Sequence, residues 1–323
     1  MLPTPTPTFH HLHLNSVNPD AAIDFYVRQF PSSSRITWGG APALKVKTAP
    51  NDAMLLFNKV DTAPTTTPQS AIWHFGWYMT DVRKSLATFK TRPEVKLLPL
   101  YTTEYTTEEG GDSVWINSDT WPGVGGMLGL TRAQITEAKA NDVKPKGGPG
   151  FAYMQGPDDA LIEYMGDFPH ERFNHVHMFQ TDPFCAQLWY QQHLNAPVMP
   201  GRASPVPMTE ANCKVPRGAD RTWPALNREG MFRTPRAAVM FGDVALTWYA
   251  PQSDKGDAPL VGTRGQLYDH IAFGVADLDA WIDKLTNEGV MFLEGPYALG
   301  DTRAVMIEGP SREALELVEV KHS

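Results

Sequence analysis

Histidines recur in two similar stretches of the sequence, and their spacing suits metal binding or proton transfer. The stretches begin at residues 9 and 173 and read FHHLHLNSVNPDAAIDFY and FNHVHMFQTDPFCAQLWY. Side chains of an extended strand alternate between its two faces. His11 therefore shares a face with His13, and His175 with His177, whereas His10 is predicted to point away. An imidazole can bind a transition metal or, with a pKa near neutrality, move a proton.

Four segments of the chain begin alike, each with a histidine in a short apolar strand and with Asp or Asn seven positions later. The histidines are His11, His74, His175 and His270. An Asp or Asn at this point predicts a helix start, because its side-chain oxygen accepts a hydrogen bond from a free backbone N–H. Helical patterns and then short strand patterns follow. The repeat predicts an α+β fold of four β-α-β-β-β units.

The second and fourth units also close alike. A Gly-Pro turn leads into a strand that carries Glu163 in one unit and Glu316 in the other. The chain is therefore predicted to consist of two halves with two units each. We expect an extended leader at residues 1–8, an N-terminal lobe at 9–168 with an insertion at 102–150, and a C-terminal lobe at 169–323 with an insertion at 197–236. Both insertions are long for ordinary connections, which makes them candidate lids or contacts of a homodimer.

The His-x6-Asp/Asn openings and the Gly-Pro-x5-Glu closings resemble the vicinal oxygen chelate superfamily, which includes glyoxalase, bleomycin-resistance and extradiol dioxygenase proteins. The resemblance implies that paired units form two cupped mixed β-sheet lobes with flanking helices around a divalent metal. It also implies ligands on the first strand of each unit and on the last strand of every second unit. By position, these are His11, His74 and Glu163 in the N-terminal half and His175, His270 and Glu316 in the C-terminal half.

Two imidazoles and one carboxylate suit Fe(II), with Mn(II) or Zn(II) as alternatives, and leave positions for substrate. The resemblance then favours an extradiol-type ring-cleaving dioxygenase that acts on a catechol-like aromatic. His13 or His177 would serve as acid/base, and Tyr153 would lie near the metal. Two other functions stay open. One is a metal-dependent lyase, isomerase or transferase such as the glyoxalase, fosfomycin-resistance and toxoflavin-lyase types, and the other is a binding protein of the bleomycin-resistance type.

The plain structural alternative is that these residues bind no metal. Glu163 and Glu316 would then be polar strand residues paired with arginines, Tyr153 would be a core residue, and one or both cups would be vestigial. A glutamate among large apolar neighbours on a central strand is costly to bury unpaired, which favours the ligand role.

Charge and composition limit the partners and say little about the compartment. The 323 residues carry a net charge of -8, and Lys and Arg form no run longer than two. Nucleic acid and anionic membrane surfaces are therefore not expected as partners. The first residues lack the basic and apolar segments of a secretion signal. The cytoplasm is the default compartment, and the periplasm or secretion is the alternative if a signal peptide has been removed. Cys185 is predicted to be an inert packing residue.

Overall fold

The computed structural model describes residues 4–101, 115–117, 140–141, 151–166, 168–201, 206–214, 236–250 and 259–320. Most of the two predicted insertions and residues 1–3 of the predicted leader lie outside the described residues. Within this part of the chain, four units each contain a strand, a helix and further strands. The prediction of an α+β fold built from four repeated units is confirmed.

The elements follow one another in the predicted order. Unit 1 contains β1 (Thr8–Ser16), α1 (Pro19–Gln29), β2 (Ser34–Trp38), β3 (Ala41–Val46) and β4 (Ala53–Lys59). Unit 2 contains β5 (Ile72–Tyr78), α2 (Val82–Phe89), β6 (Lys96–Tyr101), β7 (Trp115–Asn117), β8 (Phe151–Gln155) and β9 (Leu161–Met165). Unit 3 contains β10 (Arg172–Phe179), α3 (Pro183–Leu194), β11 (Arg236–Phe241) and β12 (Val244–Tyr249). Unit 4 contains β13 (Tyr268–Val275), α4 (Leu278–Asn287), β14 (Phe292–Leu299), β15 (Thr302–Glu308) and β16 (Ala314–Glu319).

Polar side chains cap the N-termini of three helices. Asn18, Asp81 and Asp277 each accept a hydrogen bond from the backbone N–H three residues further on. Asp182 makes no such bond, and α3 begins with Pro183, which has no N–H to satisfy. None of the helices in the described residues is long and apolar enough to cross a bilayer.

The strands form two eight-stranded sheets, and each sheet combines one unit from either half of the chain. The first sheet has the order β14-β15-β16-β13-β1-β4-β3-β2 and joins unit 1 to unit 4. The second has the order β11-β12-β10-β5-β9-β8-β6-β7 and joins unit 2 to unit 3. The prediction that residues 9–168 and 169–323 each form one lobe is therefore wrong. Strands pair through backbone N–H and C=O groups, which do not depend on residue type. The sequences of four similar units therefore do not specify which units pair with each other.

Aromatic residues of both sheets meet in one hydrophobic core. Phe9 of the first sheet stacks on Phe173 of the second with ring centroids 5.5 Å apart. Phe241 and Phe273, again from different sheets, lie 4.2 Å apart. Because these contacts cross between the sheets, the two sheets depend on each other for the burial of their outer faces.

Each closing Gly-Pro turn contacts the other sheet. Asp158, in the turn that closes unit 2, accepts a hydrogen bond from the backbone N–H of Val17 in unit 1. Gln180 of unit 3 donates to the Ser311 hydroxyl in the turn that closes unit 4. The repeated closing sequence therefore also serves to join the sheets.

A disulfide cross-links unit 3. Cys185 in α3 bonds to Cys213, and their Cα atoms lie 4.8 Å apart. The prediction that Cys185 is inert packing is wrong, because its partner stands in an insertion whose path no repeat pattern specifies.

Candidate metal centres

The register of the first sheet brings three predicted ligands onto one face. His11 of β1 and Glu316 of β16 both pair with Ala272 of β13, one from each side. His270 lies two residues before Ala272 on the same strand. Directly paired residues, and residues two apart on one strand, point to the same face of a sheet. The three ligand side chains therefore converge.

Centre 1 consists of His11, His13, His270 and Glu316. The Nε2 atom of His11 lies 3.3 Å from Glu316 Oε2 and 3.4 Å from His270 Nε2. His270 Nε2 lies 3.8 Å from the same carboxylate oxygen. His13 completes the cluster, since one ring nitrogen from each of the three histidines lies within 4.8 Å of the others.

Centre 2 consists of His74, Glu163, His175 and His177, which each place one ligand atom within 4.8 Å of the others. Glu163 Oε2 lies 3.0 Å from His74 Nε2 and 3.9 Å from His177 Nδ1. The other carboxylate oxygen lies 4.0 Å from His175 Nε2. His175 and Glu163 flank Gly76, as His11 and Glu316 flank Ala272 in centre 1.

The structure regroups the predicted ligands. His11 joins His270 and Glu316 in centre 1. His175 joins His74 and Glu163 in centre 2. The predicted grouping by half-chain is wrong, because unit 1 pairs with unit 4 and unit 2 with unit 3.

The residues predicted to act as acid/base or to lie near the metal are beside the ligands. The ring nitrogens of His13 and His177 lie inside the two clusters, at distances that also suit metal ligation. Tyr153 of β8 is buried, pairs in register with Glu163 and hydrogen-bonds to its carboxylate. In centre 1 the matching contact comes from a different strand, β14, where the Tyr297 hydroxyl donates to Glu316. No motif in the sequence indicates this role for Tyr297.

Several atoms of both centres are buried with no hydrogen-bond partner among the described residues. They are His13 Nε2 and Glu316 Oε2 in centre 1 and His74 Nδ1, His175 Nε2 and His177 Nδ1 in centre 2. A buried polar atom without a partner costs about 1–3 kcal/mol, so such atoms are rarely concentrated at one place. Imidazole nitrogens and carboxylate oxygens are ligands of Zn(II), Fe(II) and Mn(II). Both clusters therefore fit a divalent cation.

Burial keeps four histidines of the centres neutral at pH 7. It lowers the pKa of His13 and His175 to about 4. It also lowers the pKa of His11 and His177 well below the ordinary value, assisted by neighbouring histidines. A neutral imidazole is the form that binds metal, so these ligands need not release a proton first.

The glutamates remain ionised for a different reason. Burial alone would raise the pKa of Glu163, but His175 and His74 outweigh burial and lower it. Burial would likewise raise the pKa of Glu316, and His270 reverses the direction. Each centre therefore holds one ionised carboxylate.

Two β-bulges place further polar residues beside the ligands of centre 1. The pairing of β1 with β13 skips His10 and Asp269, and a bulge re-aims the side chain of the extra residue. His10 Nδ1 lies 2.7 Å from His11 Nδ1, and Asp269 Oδ1 lies 2.7 Å from His270 Nδ1. The prediction that His10 points away is wrong, because strand alternation fails at a bulge.

The first sheet curls into a cup around centre 1. Its two edge strands end at Trp38 and Leu299, and the turns that follow them are in contact. A Cβ on Gly300 would lie 3.0 Å from the Cα atom of Gly39. Beside this contact, a partly open cavity of about 190 Å³ is lined by His10, Trp38, Asp301, Thr302, Val318, Glu319 and Val320. A small molecule can therefore approach His10, whose ring contacts the ligand His11.

The family model of the Glyoxalase/Bleomycin resistance protein/Dioxygenase superfamily matches residues 172–317, which hold units 3 and 4. Residues 172–317 therefore belong to this superfamily. Units 1 and 2 repeat the same order of elements and the same ligand register. The resemblance stated from the openings and closings is thus confirmed, and the superfamily consists mostly of metal-dependent enzymes that act on small molecules.

Solved structures support the same fold along almost the whole chain. Glyoxalase I from Zea mays is similar with a TM-score of 0.56 and 14% identity, over 97% of this chain and 92% of that one. A candidate dioxygenase from Bacillus subtilis is similar with a TM-score of 0.51 and 9% identity, over 98% of this chain and 86% of that one. At such identities the similarity concerns the fold alone. No curated protein sequence matches the chain.

Proposed function

We propose that this superfamily member is a metal-dependent enzyme that acts on a small molecule with two adjacent oxygen atoms. The observation that carries the proposal is the convergence of three imidazoles in each centre beside one carboxylate, with buried ligand atoms that have no hydrogen-bond partner among the described residues. Such a donor set holds a divalent ion and leaves adjacent positions that a pair of substrate oxygens can fill.

In this proposal, three residues of each centre hold the ion. They are His11, His270 and Glu316 in centre 1 and His74, His175 and Glu163 in centre 2. Fe(II) is the favoured ion, with Mn(II) and Zn(II) as alternatives. A bound Fe(II) would bring a catechol-like substrate and O2 together at one site.

The reaction that we propose is extradiol-type ring cleavage of a catechol-like aromatic. Binding of a catechol requires that a hydroxyl proton be removed. His13 and His177 each place an unprotonated ring nitrogen within a centre, so each can accept that proton and return it later. Tyr153 and Tyr297 hold the glutamates of the two centres in place through their hydrogen bonds.

One observation favours a second candidate function. The ring nitrogen of His177 lies within 4.8 Å of all three ligand atoms of centre 2, and that of His13 lies within 4.8 Å of the two histidine ligand atoms of centre 1. If these histidines bind the ion as well, an octahedral ion keeps two open coordination positions instead of three. Two positions suffice for a chelated oxygen pair but not for O2 in addition. The chain would then be a lyase, isomerase or transferase in which the metal acts as a Lewis acid.

Two measurements test these proposals. Elemental analysis of protein purified without chelators should give up to two divalent ions per chain. After anaerobic loading with Fe(II), addition of catechol in air should consume O2 and produce a ring-opened chromophore. Metal without O2 uptake would favour the Lewis-acid function. Absence of metal, together with retained binding of an aromatic ligand, would overturn the enzyme proposal and favour a binding protein.

A further inference from the structure

The two centres have equivalent ligands. They differ in the residue at the β-bulge directly before His74 on β5 and before His270 on β13. In the first sheet that residue is Asp269, before His270. In the second sheet the pairing of β10 with β5 skips Trp73, before His74. The bulge occurs at the same place in both sheets, so the chain provides its own comparison between a carboxylate and an indole at one position.

Asp269 is held firmly against His270. Its Oδ1 atom lies 2.7 Å from His270 Nδ1 and 3.1 Å from Arg264 Nε. Its Oδ2 atom accepts a hydrogen bond from the Gly265 backbone N–H at 2.7 Å and from Asn15 at 3.4 Å. Asp269 is buried, so water competes little for these bonds. The carboxylate is thus fixed by contacts outside the metal centre.

This contact selects one tautomer of His270. A carboxylate can only accept, so the proton sits on Nδ1, and Nε2 keeps its lone pair facing His11 and Glu316. In centre 2, His74 Nδ1 is buried and has no hydrogen-bond partner among the described residues. Trp73 packs against that ring with centroids 4.4 Å apart, but its indole N–H can only donate a hydrogen bond.

We infer that Asp269 is a positioning residue that makes centre 1 the tighter of the two metal sites. The inference rests on the proposed metal binding and assigns the difference at the equivalent ligands His270 and His74 to one side chain. A carboxylate that accepts from a ligating histidine fixes the orientation of the ring and increases its basicity, and loss of such a partner typically weakens metal binding by about 10–100-fold. Centre 2 has no equivalent partner for His74, so we expect it to bind the same ion about 10-fold or more weakly.

The substitution Asp269→Asn tests the mechanism sharply. The Gly265 N–H would retain the amide oxygen, so the amide NH2 group would face His270 Nδ1 and Arg264. Two donors would then oppose each other, which favours the other tautomer of His270 with its proton on Nε2. The shape of the side chain is almost unchanged, whereas the lone pair that centre 1 needs is lost.

The experiment isolates each centre in the full-length chain. Glu163→Gln leaves centre 1 as the intact site, and Glu316→Gln leaves centre 2. Co(II) binding to chelator-treated protein is then followed by its visible absorption. Centre 1 should bind Co(II) about 10-fold or more tightly than centre 2, and Asp269→Asn should weaken centre 1 alone by about 10–100-fold. Asp24→Asn, at an exposed carboxylate paired with Arg35, is the matched control and should change neither affinity.

Each possible result supports or overturns the inference or the proposed function. Equal affinities of the two centres, or an unchanged affinity of centre 1 in Asp269→Asn, would overturn the inference while leaving the proposed function intact. Absence of Co(II) binding in both isolated centres would instead overturn the proposed function. Should Asp269→Asn fail to fold, the tautomer of His270 can be read from ring-nitrogen chemical shifts of the metal-free wild-type chain. At a pH above the His270 pKa, a proton on Nε2 with none on Nδ1 would contradict the proposed role of Asp269.

Discussion

Centre 1 and centre 2 lie on equivalent strands and share a donor set, yet their surroundings differ. In centre 1 the bulges carry His10 and Asp269, which contact the Nδ1 atoms of two ligands. In centre 2 the same bulges carry Asn174 and Trp73. The two sheets thus share the same strand register and the same ligands. The residues that orient those ligands differ between the two copies.

The largest expected effect separates the centres completely. Replacement of Glu316 by Gln removes the carboxylate of centre 1, so the metal content should fall from two ions per chain to one. The affinity loss should exceed about 100-fold, because changes outside the ligand shell already cost about 10–100-fold. His270→Ala should remove the same ion, which anomalous scattering from crystals can locate. Loss of the ion beside His175 in His270→Ala would contradict the pairing of units described here.

A second contrast lies at the residue between the two flanking ligands. A Cβ on Gly76 would lie 2.5 Å from His175 Cε1 and 2.5 Å from the backbone oxygen of Glu163. Gly76→Ala should therefore displace the ring and weaken metal binding at centre 2 by about 10-fold or more. The reciprocal change Ala272→Gly should leave metal binding at centre 1 intact and cost about 1 kcal/mol of stability. Isothermal titration of each variant checks both, and unchanged binding in Gly76→Ala would mean that His175 is not a ligand.

Acid should act on the histidines with opposite signs. The pKa of His175 is about 4 in the folded protein, and the ordinary value is 6.5. The unfolded chain takes up this proton first, so stability falls by about 1.4 kcal/mol per pH unit as pH drops from about 6.5 towards 4. Burial would also lower the pKa of His270, but Asp269 and Glu316 raise it overall. Its contribution is full below about pH 6.5 and is lost as pH rises through the folded pKa.

Urea unfolding of chelator-treated protein between pH 7 and pH 5 measures these contributions. His175→Gln should flatten the decline in stability below about pH 6.5, and His270→Gln should remove the gain in stability that acidification gives above about pH 6.5. If both variants kept the wild-type slope, the two histidines would titrate alike in the folded and unfolded states.

The smallest contrast concerns the cross-link in unit 3. The disulfide between Cys185 and Cys213 closes a loop with a sequence separation of 28 residues. Its removal in Cys185→Ser/Cys213→Ser should lower the free energy of unfolding by about 3 kcal/mol. Urea unfolding with and without reductant measures this loss, and the variant itself should be insensitive to reductant. Co(II) binding to centre 1 should be unchanged, because unit 3 contributes no ligand to it.

Repetition made much of this fold predictable. The His-x6-Asp/Asn spacing predicts where strands end and helices begin, since a polar cap is needed at that point, and Asn18, Asp81 and Asp277 provide it. The closing Glu163 and Glu316 follow from the register of the last strand in a unit. No short sequence pattern specifies whether unit 1 pairs with unit 2 or with unit 4. The pairing is made by backbone groups at the strand edges, and these are alike in all units.

The contacts that orient the ligands were the least predictable part. The prediction that side chains alternate between faces assumes regular strand pairing. The β-bulges at His10 and Asp269 interrupt that pairing and change the direction of both side chains. Tyr297 reaches Glu316 from an edge strand, and that contact depends on how the sheet curls. Such features arise from tertiary geometry, which the one-dimensional pattern of the chain does not specify.

The union of unit 1 with unit 4 has a consequence for biosynthesis. Strand β1 ends at Ser16, whereas its neighbour β13 begins at Tyr268. During translation, units 2 and 3 can complete their sheet once β12 has emerged, while β1 keeps one edge unpaired until the last unit appears. An open strand edge invites association with other chains, and such distant pairing is slow. A chain stalled on the ribosome before residue 268 would therefore contain all the ligands of centre 2 but lack His270 and Glu316 of centre 1.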